Sequence, residues 1–148
     1  MLSKRVKQWV DRIGPGKDIM VSKGLTHVPD IYDRIVDNLT KIDVIKLILV
    51  TPDKVSASSE LDSRTAEPIS DPGHPTATGI TVLFLHELEV MQFLSINSTR
   101  PGYGQRMVDA TLRDFPPHWK AQVFFEWSHG FWGKMKELYK NINWLEIR

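Results

Sequence analysis

The residues best placed to do chemistry lie in one run, Ile96-Asn97-Ser98-Thr99-Arg100-Pro101-Gly102-Tyr103-Gly104-Gln105. An apolar stretch, Val90 to Ile96, leads into it, and an amphipathic stretch, Gly104 to Phe115, follows it. This pattern predicts a strand, a tight turn and a helix. The first N–H groups of a helix have no partner within it, and the aligned peptide dipoles give that end partial positive charge. Glycine lets a phosphate come close to the backbone. The run therefore reads as an anion cradle suited to a pyrophosphate, and Arg100 could add a charge-assisted contact. It is not a Walker loop, because no Gly-Lys-Ser/Thr follows. Nor is it a full dinucleotide fingerprint, because Met107 stands where the third glycine would be. Strand–turn–helix junctions also use glycine for geometry alone, so the run by itself leaves both readings open.

Composition narrows the chemistry. The chain has 148 residues, of which 41% are apolar and 25% charged, enough for a core in one compact domain. There is no cysteine, which removes disulfides, a thiol nucleophile and thiolate-bound zinc or iron–sulfur centres, and fits a reducing compartment. No His/Asp/Glu cluster has metal-ligand spacing, so no metal is expected. A net charge of +1 argues against nucleic acid as the main partner. The basic start, Met1 to Lys7, has no long apolar run after it, and no segment is long enough to cross a bilayer. The expectation is a cytoplasmic protein with no membrane partner.

Several elements must position the run. Val6, Trp9, Val10 and Ile13 recur at helical spacing before Gly14-Pro15-Gly16. Asp18 to Lys23 reads as a short strand. Pro29-Asp30 opens a helix with Ile31, Ile35, Val36, Leu39 and Ile42 on one side. Val44 to Val50 reads as a buried strand. Residues 53–78, rich in Ser, Pro, Asp and Thr, read as a long loop or partly disordered insertion carrying His74. Strands are expected at Ile80 to Leu85, Leu88 to Ile96 and Ala121 to Trp127. A last helix is expected through Phe131, Trp132, Met135, Leu138 and Tyr139, with a closing strand over Ile142 to Ile147. The order predicts an α/β or α+β fold, a mixed sheet covered by helices, with a parallel crossover over residues 88–127.

At this point the sequence resembles the GNAT superfamily of acyl-CoA N-acyltransferases. Members carry an Arg/Gln-x-x-Gly-x-Gly/Ala pattern after a central strand, at the start of a long helix. Here Thr99-Arg100-Pro101-Gly102-Tyr103-Gly104 matches it, with Thr99 at the leading position and Arg100 one place later. A second likeness is Phe131-Trp132-Gly133-Lys134-Met135, which follows a strand as the family's Phe-Tyr-x-Lys-like segment does. The resemblance covers residues 88–148.

The resemblance implies a single GNAT-like domain over residues 1–148, with two parallel strands that splay apart. Pantetheine of acetyl-CoA would insert between them and bond main-chain groups of Leu94, Ser95 and Ile96. The pyrophosphate would sit on the main chain of Pro101, Gly102, Tyr103, Gly104 and Gln105, with Arg100 nearby and with Phe131 and Trp132 along the arm. An amine would attack the thioester directly, which needs positioning, a base and a donor for the departing thiolate. Trp132 stands where the family's acidic Tyr is found, so Tyr139, two turns on, and His129 are the candidate acids. Glu87 and Glu89, placed on one face by period-two alternation, and Glu126 are the candidate bases. Among the tryptophans, Trp127 and Trp132 are expected to wall the pocket. The amine acceptor is left open, and the final strand with its helix could pair two copies. Two alternatives stand beside this reading: a catalytically silent GNAT-like acyl-CoA-binding or regulatory module, and, on Lys4, Arg5, Lys7 and the aromatic content, a nucleic-acid-binding domain.

Overall fold

In the computed structural model, residues 17–22, 25, 28–124 and 130–146 are described. The elements run β1 (Asp18–Val21), α1 (Asp30–Thr40), β2 (Leu47–Val50), β3 (Lys54–Ser58), β4 (Gly79–Leu85), β5 (Val90–Asn97), α2 (Tyr103–Leu112), β6 (Lys120–Val123), α3 (Phe131–Leu138) and β7 (Asn143–Trp144). The seven strands form one mixed sheet whose order is the chain order. The expected first helix, and the residues past Phe124 of the strand expected over Ala121 to Trp127, lie outside the described residues.

Connection length decides strand direction. Short turns can only reverse a strand, whereas a crossover helix returns it parallel. Short turns join β2 to β3 and β4 to β5, which run antiparallel, and β3 and β4 also run antiparallel although the long segment 59–78 joins them. The helix-bearing connections make β1 parallel to β2, β5 to β6, and β6 to β7. The crossover expected over residues 88–127 is the β5–α2–β6 unit.

One face of the sheet carries the core. Cross-strand partners share a face, and Val50, Val55, Val82 and Phe93 form one such buried row. Onto it α1 lays Ile31, Ile35, Val36 and Leu39 of the stripe predicted from its spacing, with Ile42 just past its end, and Tyr32, which that stripe did not include. α2 adds Met107, Val108 and Leu112, and α3 adds Trp132 and Met135. Asn38 ties the first two helices by donating to the carbonyl of Ala110 and to Asp114, each at 3.1 Å.

The other face differs. Register places Ser56, Thr81 and Ser95 side by side across β3, β4 and β5. The segment 59–78 covers this row, and here the expectation of a loose loop over 53–78 is corrected. Its first residues form β3, and the rest is a docked excursion. Asp62 Oδ1 accepts the N–H groups of Arg64 and Thr65 at 2.8 and 3.2 Å. Ser58 Oγ donates to the carbonyl of Ile69 at 2.6 Å. Asn97 clamps the far end, donating to His74 and Ala77 carbonyls and accepting from Gly73 N–H. His74 Nδ1 accepts the N–H groups of Thr76 and Ala77, so this ring shapes the loop. Low apolar content concealed the order, because hydrogen bonds do the docking.

Gly79, at the start of β4, lies under this excursion, and a Cβ there would press on the carbonyls of Ile69 and Ala57. Gly79→Ala is expected to cost about 1–3 kcal/mol, the range for an overpacked site, measured by urea unfolding. Faster proteolysis within residues 59–78 should accompany it.

Candidate functional site

The site begins at the last described pairing of β5 with β6. The two strands pair in parallel from Val90–Lys120 to Phe93–Val123, and Phe124 N–H donates to the Phe93 carbonyl at 3.0 Å. β5 then continues to Asn97, paired only with β4 among the described residues. Against β4, the strand carries a bulge. Thr81 faces Ser95 and Val82 faces Phe93, so Leu94 is an extra residue on β5. A bulge bends and twists its strand and breaks the regular ladder.

Beside this bend opens a cleft of about 270 Å³. Its walls are residues 93–98, Gly104 at the start of α2, Phe131 and Trp132 of α3, and Pro72–Gly73 of the excursion. The lining is mostly apolar. Trp132 packs on Phe93 with ring centroids 4.6 Å apart, and Phe131 stands edge-on to it at 5.2 Å.

Each glycine of the turn has its own structural cause. Gly102 caps α2 at φ 87, a left-handed conformation with open space around it. Gly104 is an ordinary helical residue, but a Cβ there would stand 3.0 Å from the ring of Phe131. One glycine serves a bend and the other close packing. The start of α2 has no side-chain cap and no acidic residue in its first turn, so its leading N–H groups remain available to an anion. Pro101 has no N–H and cannot share in this.

The predicted site residues fall into separate groups. Leu94, Ser95, Ile96, Gly104, Phe131 and Trp132 come together in the cleft. Gly102 and Gln105 open instead onto a groove between α1 and α2, which Tyr139 also lines. Arg100 and Pro101 are exposed on the turn. Tyr103 is engaged elsewhere: its hydroxyl donates to Asp43 at 2.9 Å, and Arg106 lies over its ring at 4.7 Å while pairing with Asp43 at 3.3 Å. The Tyr103 hydroxyl, with help from Arg106, holds the Asp43 carboxyl below its usual range.

The candidate acid and base lie away from the cleft. Glu89 belongs to the β4–β5 turn, at the opposite end of β5, about 20 Å from Ser95 at the usual rise per residue. It has φ 53 and pairs with His118 at 3.0 Å. Glu87 shares that turn, so strand alternation does not govern the pair. Tyr139 donates to Asp109 at 2.9 Å, and burial, reinforced by Asp109, pushes its hydroxyl up to about 12. Glu126, Trp127 and His129 lie outside the described residues. Among the described residues no group of His, Asp and Glu side chains is placed to hold a metal ion, and no helix is long and apolar enough to cross a membrane.

Sequence reasoning missed Phe93, Ser70, Pro72 and Gly73. Phe93 looked like any core strand residue. The other three sit in the polar stretch, where only the alternation of Ser56, Thr81 and Ser95 with apolar neighbours hinted at a polar face awaiting a cover. Compared with known proteins, the chain matches no family model, no curated protein and no solved structure.

The raised Tyr139 hydroxyl has a consequence for stability. Its protonated form is favoured by folding, so its contribution is complete below the ordinary value of 10.0 and is lost as pH rises through about 12. A tyrosinate absorbance titration of wild type against Tyr139→Phe is expected to yield a difference curve centred near 12. The alkaline fall in stability should be shallower in the variant.

Proposed function

We propose that the chain is an acyl-CoA-dependent N-acyltransferase of the GNAT type, transferring an acetyl group to a primary amine within a ternary complex. The observation that carries this reading is the apolar cleft beside the Leu94 bulge of β5, next to an uncapped helix start. The main chain at the bulge of β5 suits the amides of a pantetheine arm, and the apolar walls Phe93, Phe131 and Trp132 suit its methylene and dimethyl segments. The N–H groups at residues 103–105 suit a pyrophosphate, with Arg100 exposed one turn away. Acetyl-CoA supplies the activated acyl group, and the chain's own residues bind it, orient it and keep water from the apolar stretch. Lack of cysteine suits direct attack by the amine and a reducing, cytoplasmic setting.

One observation favours a second reading, a GNAT-like acyl-CoA-binding module without turnover. None of the described residues lining the cleft has a titratable side chain, and Trp132 stands at the place of the family's Tyr.

Two measurements test this. Isothermal calorimetry with acetyl-CoA is expected to show one saturable site, and absence of heat from folded protein would falsify the acyl-CoA reading in both forms. Thiol release in the presence of a broad amine panel then separates the two: release supports the transferase, and binding without release supports the module. Gly104→Val, which drives Phe131 toward the cleft, is expected to lower acetyl-CoA affinity at least tenfold, about 1.4 kcal/mol.

A further inference from the structure

Two side chains hold the rim of the cleft. Asn97 fastens residues 73–77 from β5: its oxygen accepts the Gly73 N–H at 2.9 Å, and its amide donates to the carbonyls of His74 and Ala77 at 3.0 and 2.6 Å. His74 fastens the same stretch from within. Its Nδ1 accepts the N–H groups of Thr76 at 3.2 Å and Ala77 at 2.9 Å. Its own main-chain N–H donates to the Asp71 carbonyl at 3.1 Å. Pro72 and Gly73, which wall the cleft, belong to this knot.

The two fasteners differ in chemistry. An amide keeps its donors and its acceptor at every ordinary pH, whereas an imidazole does not. Nδ1 accepts only while it carries no hydrogen, so the His74 ring that makes these bonds is neutral, with its hydrogen on Nε2. An imidazolium carries a hydrogen on both nitrogens. Protonating His74 therefore sets one N–H against two others. Ala77 is fully buried, at 0% exposure, and a buried N–H left without a partner costs more than its bond was worth.

We infer that His74 is a proton-sensitive latch on the rim of the cleft: neutral, it gathers residues 74–77 around Nδ1, and protonated, it withdraws and leaves the rim to Asn97. A ring freed from the two N–H groups takes a proton more readily than one that accepts from them, so falling pH draws the rim toward the released form. A neighbouring charge assists. Asp62 interacts electrostatically with His74, and the N–H groups of Arg64 and Thr65 hold its carboxyl below the usual range. It is thus still ionised where an imidazole titrates, and it attracts the protonated ring. Asp71 lies in the turn itself, and from β5 the ring's residue meets the neutral Asn97. The change stays local. Ser58 Oγ holds the Ile69 carbonyl before the rim, and Ser59 Oγ accepts the Thr78 N–H after it at 2.9 Å, so both anchors bypass His74. The inference concerns the rim and holds whatever the cleft binds.

Amide hydrogen exchange of the full chain, read by NMR at pH about 7.5 and about 5, brackets the range in which an imidazole titrates. After correction for intrinsic rates, protection at Ala77 is expected to fall about threefold to tenfold in acid, the net worth of one hydrogen bond. Protection at Val82 and Phe93, inside the sheet, should hold. The His74 ring resonances, followed in the same sample, should titrate together with the change at Ala77. His74→Asn places an acceptor oxygen where Nδ1 stood, one that does not titrate, and is expected to abolish the pH dependence. His74→Ala, with no acceptor, should show low protection at both pH values. Unchanged protection of Ala77 in wild type would overturn the inference. So would an equal loss at Val82 and Phe93, or an acid loss that survives in His74→Asn. These readouts need no ligand, so failure of acetyl-CoA to bind leaves them standing.

Discussion

Opposite the step from Thr81 to Val82, β5 carries one residue more than its neighbour. Up to Phe93 the strand is central, hydrogen-bonded on both sides. Beyond Leu94 only β4 accompanies it among the described residues. A bulge bends its strand and interrupts the regular ladder, which opens room beside it. The cleft, the uncapped α2 and the aromatic wall of α3 all gather at that point. An extra residue in the peptide ladder locates the site more firmly than any reactive side chain does.

The two faces of the sheet then divide the labour. The face under α1, α2 and α3 is apolar, and area burial holds it. The face under residues 59–78 carries hydroxyls at Ser56, Ser58, Thr81 and Ser95, and directed hydrogen bonds hold it. Apolar packing tolerates small displacements, whereas a hydroxyl pair loses its bond when an angle fails. The excursion is therefore placed by geometry, and it brings Pro72 and Gly73 to the cleft edge.

Most of the scaffold was legible in the sequence, because periodicity reports burial. The α1 stripe, the β4–β5 pair and the β5–α2–β6 crossover follow directly from it. The strand–turn–helix junction was legible too, whereas the local cause of each glycine was not: Gly102 serves a left-handed bend and Gly104 contact with Phe131. What escaped was relational. The bulge is a mismatch between two strands, invisible in either alone. Glu89 and Glu87 appeared to share a strand face because the turn there lacks a glycine signal, yet Glu89 itself adopts the left-handed conformation. Tyr139 had the right spacing for a helix face, but the face looks onto the α1–α2 groove.

Strand order equals chain order throughout the sheet. Each ladder thus joins segments that are neighbours along the chain, and no strand has to be threaded between two that have already met. The entropy of closing each loop is modest for such pairings. A longer span falls elsewhere, on the helix layer, where Asn38 reaches the Ala110 carbonyl 72 residues away and Asp114 76 residues away. The sheet grows like a row of tiles laid in sequence, and one buried amide stitches the early part of the row to the late one.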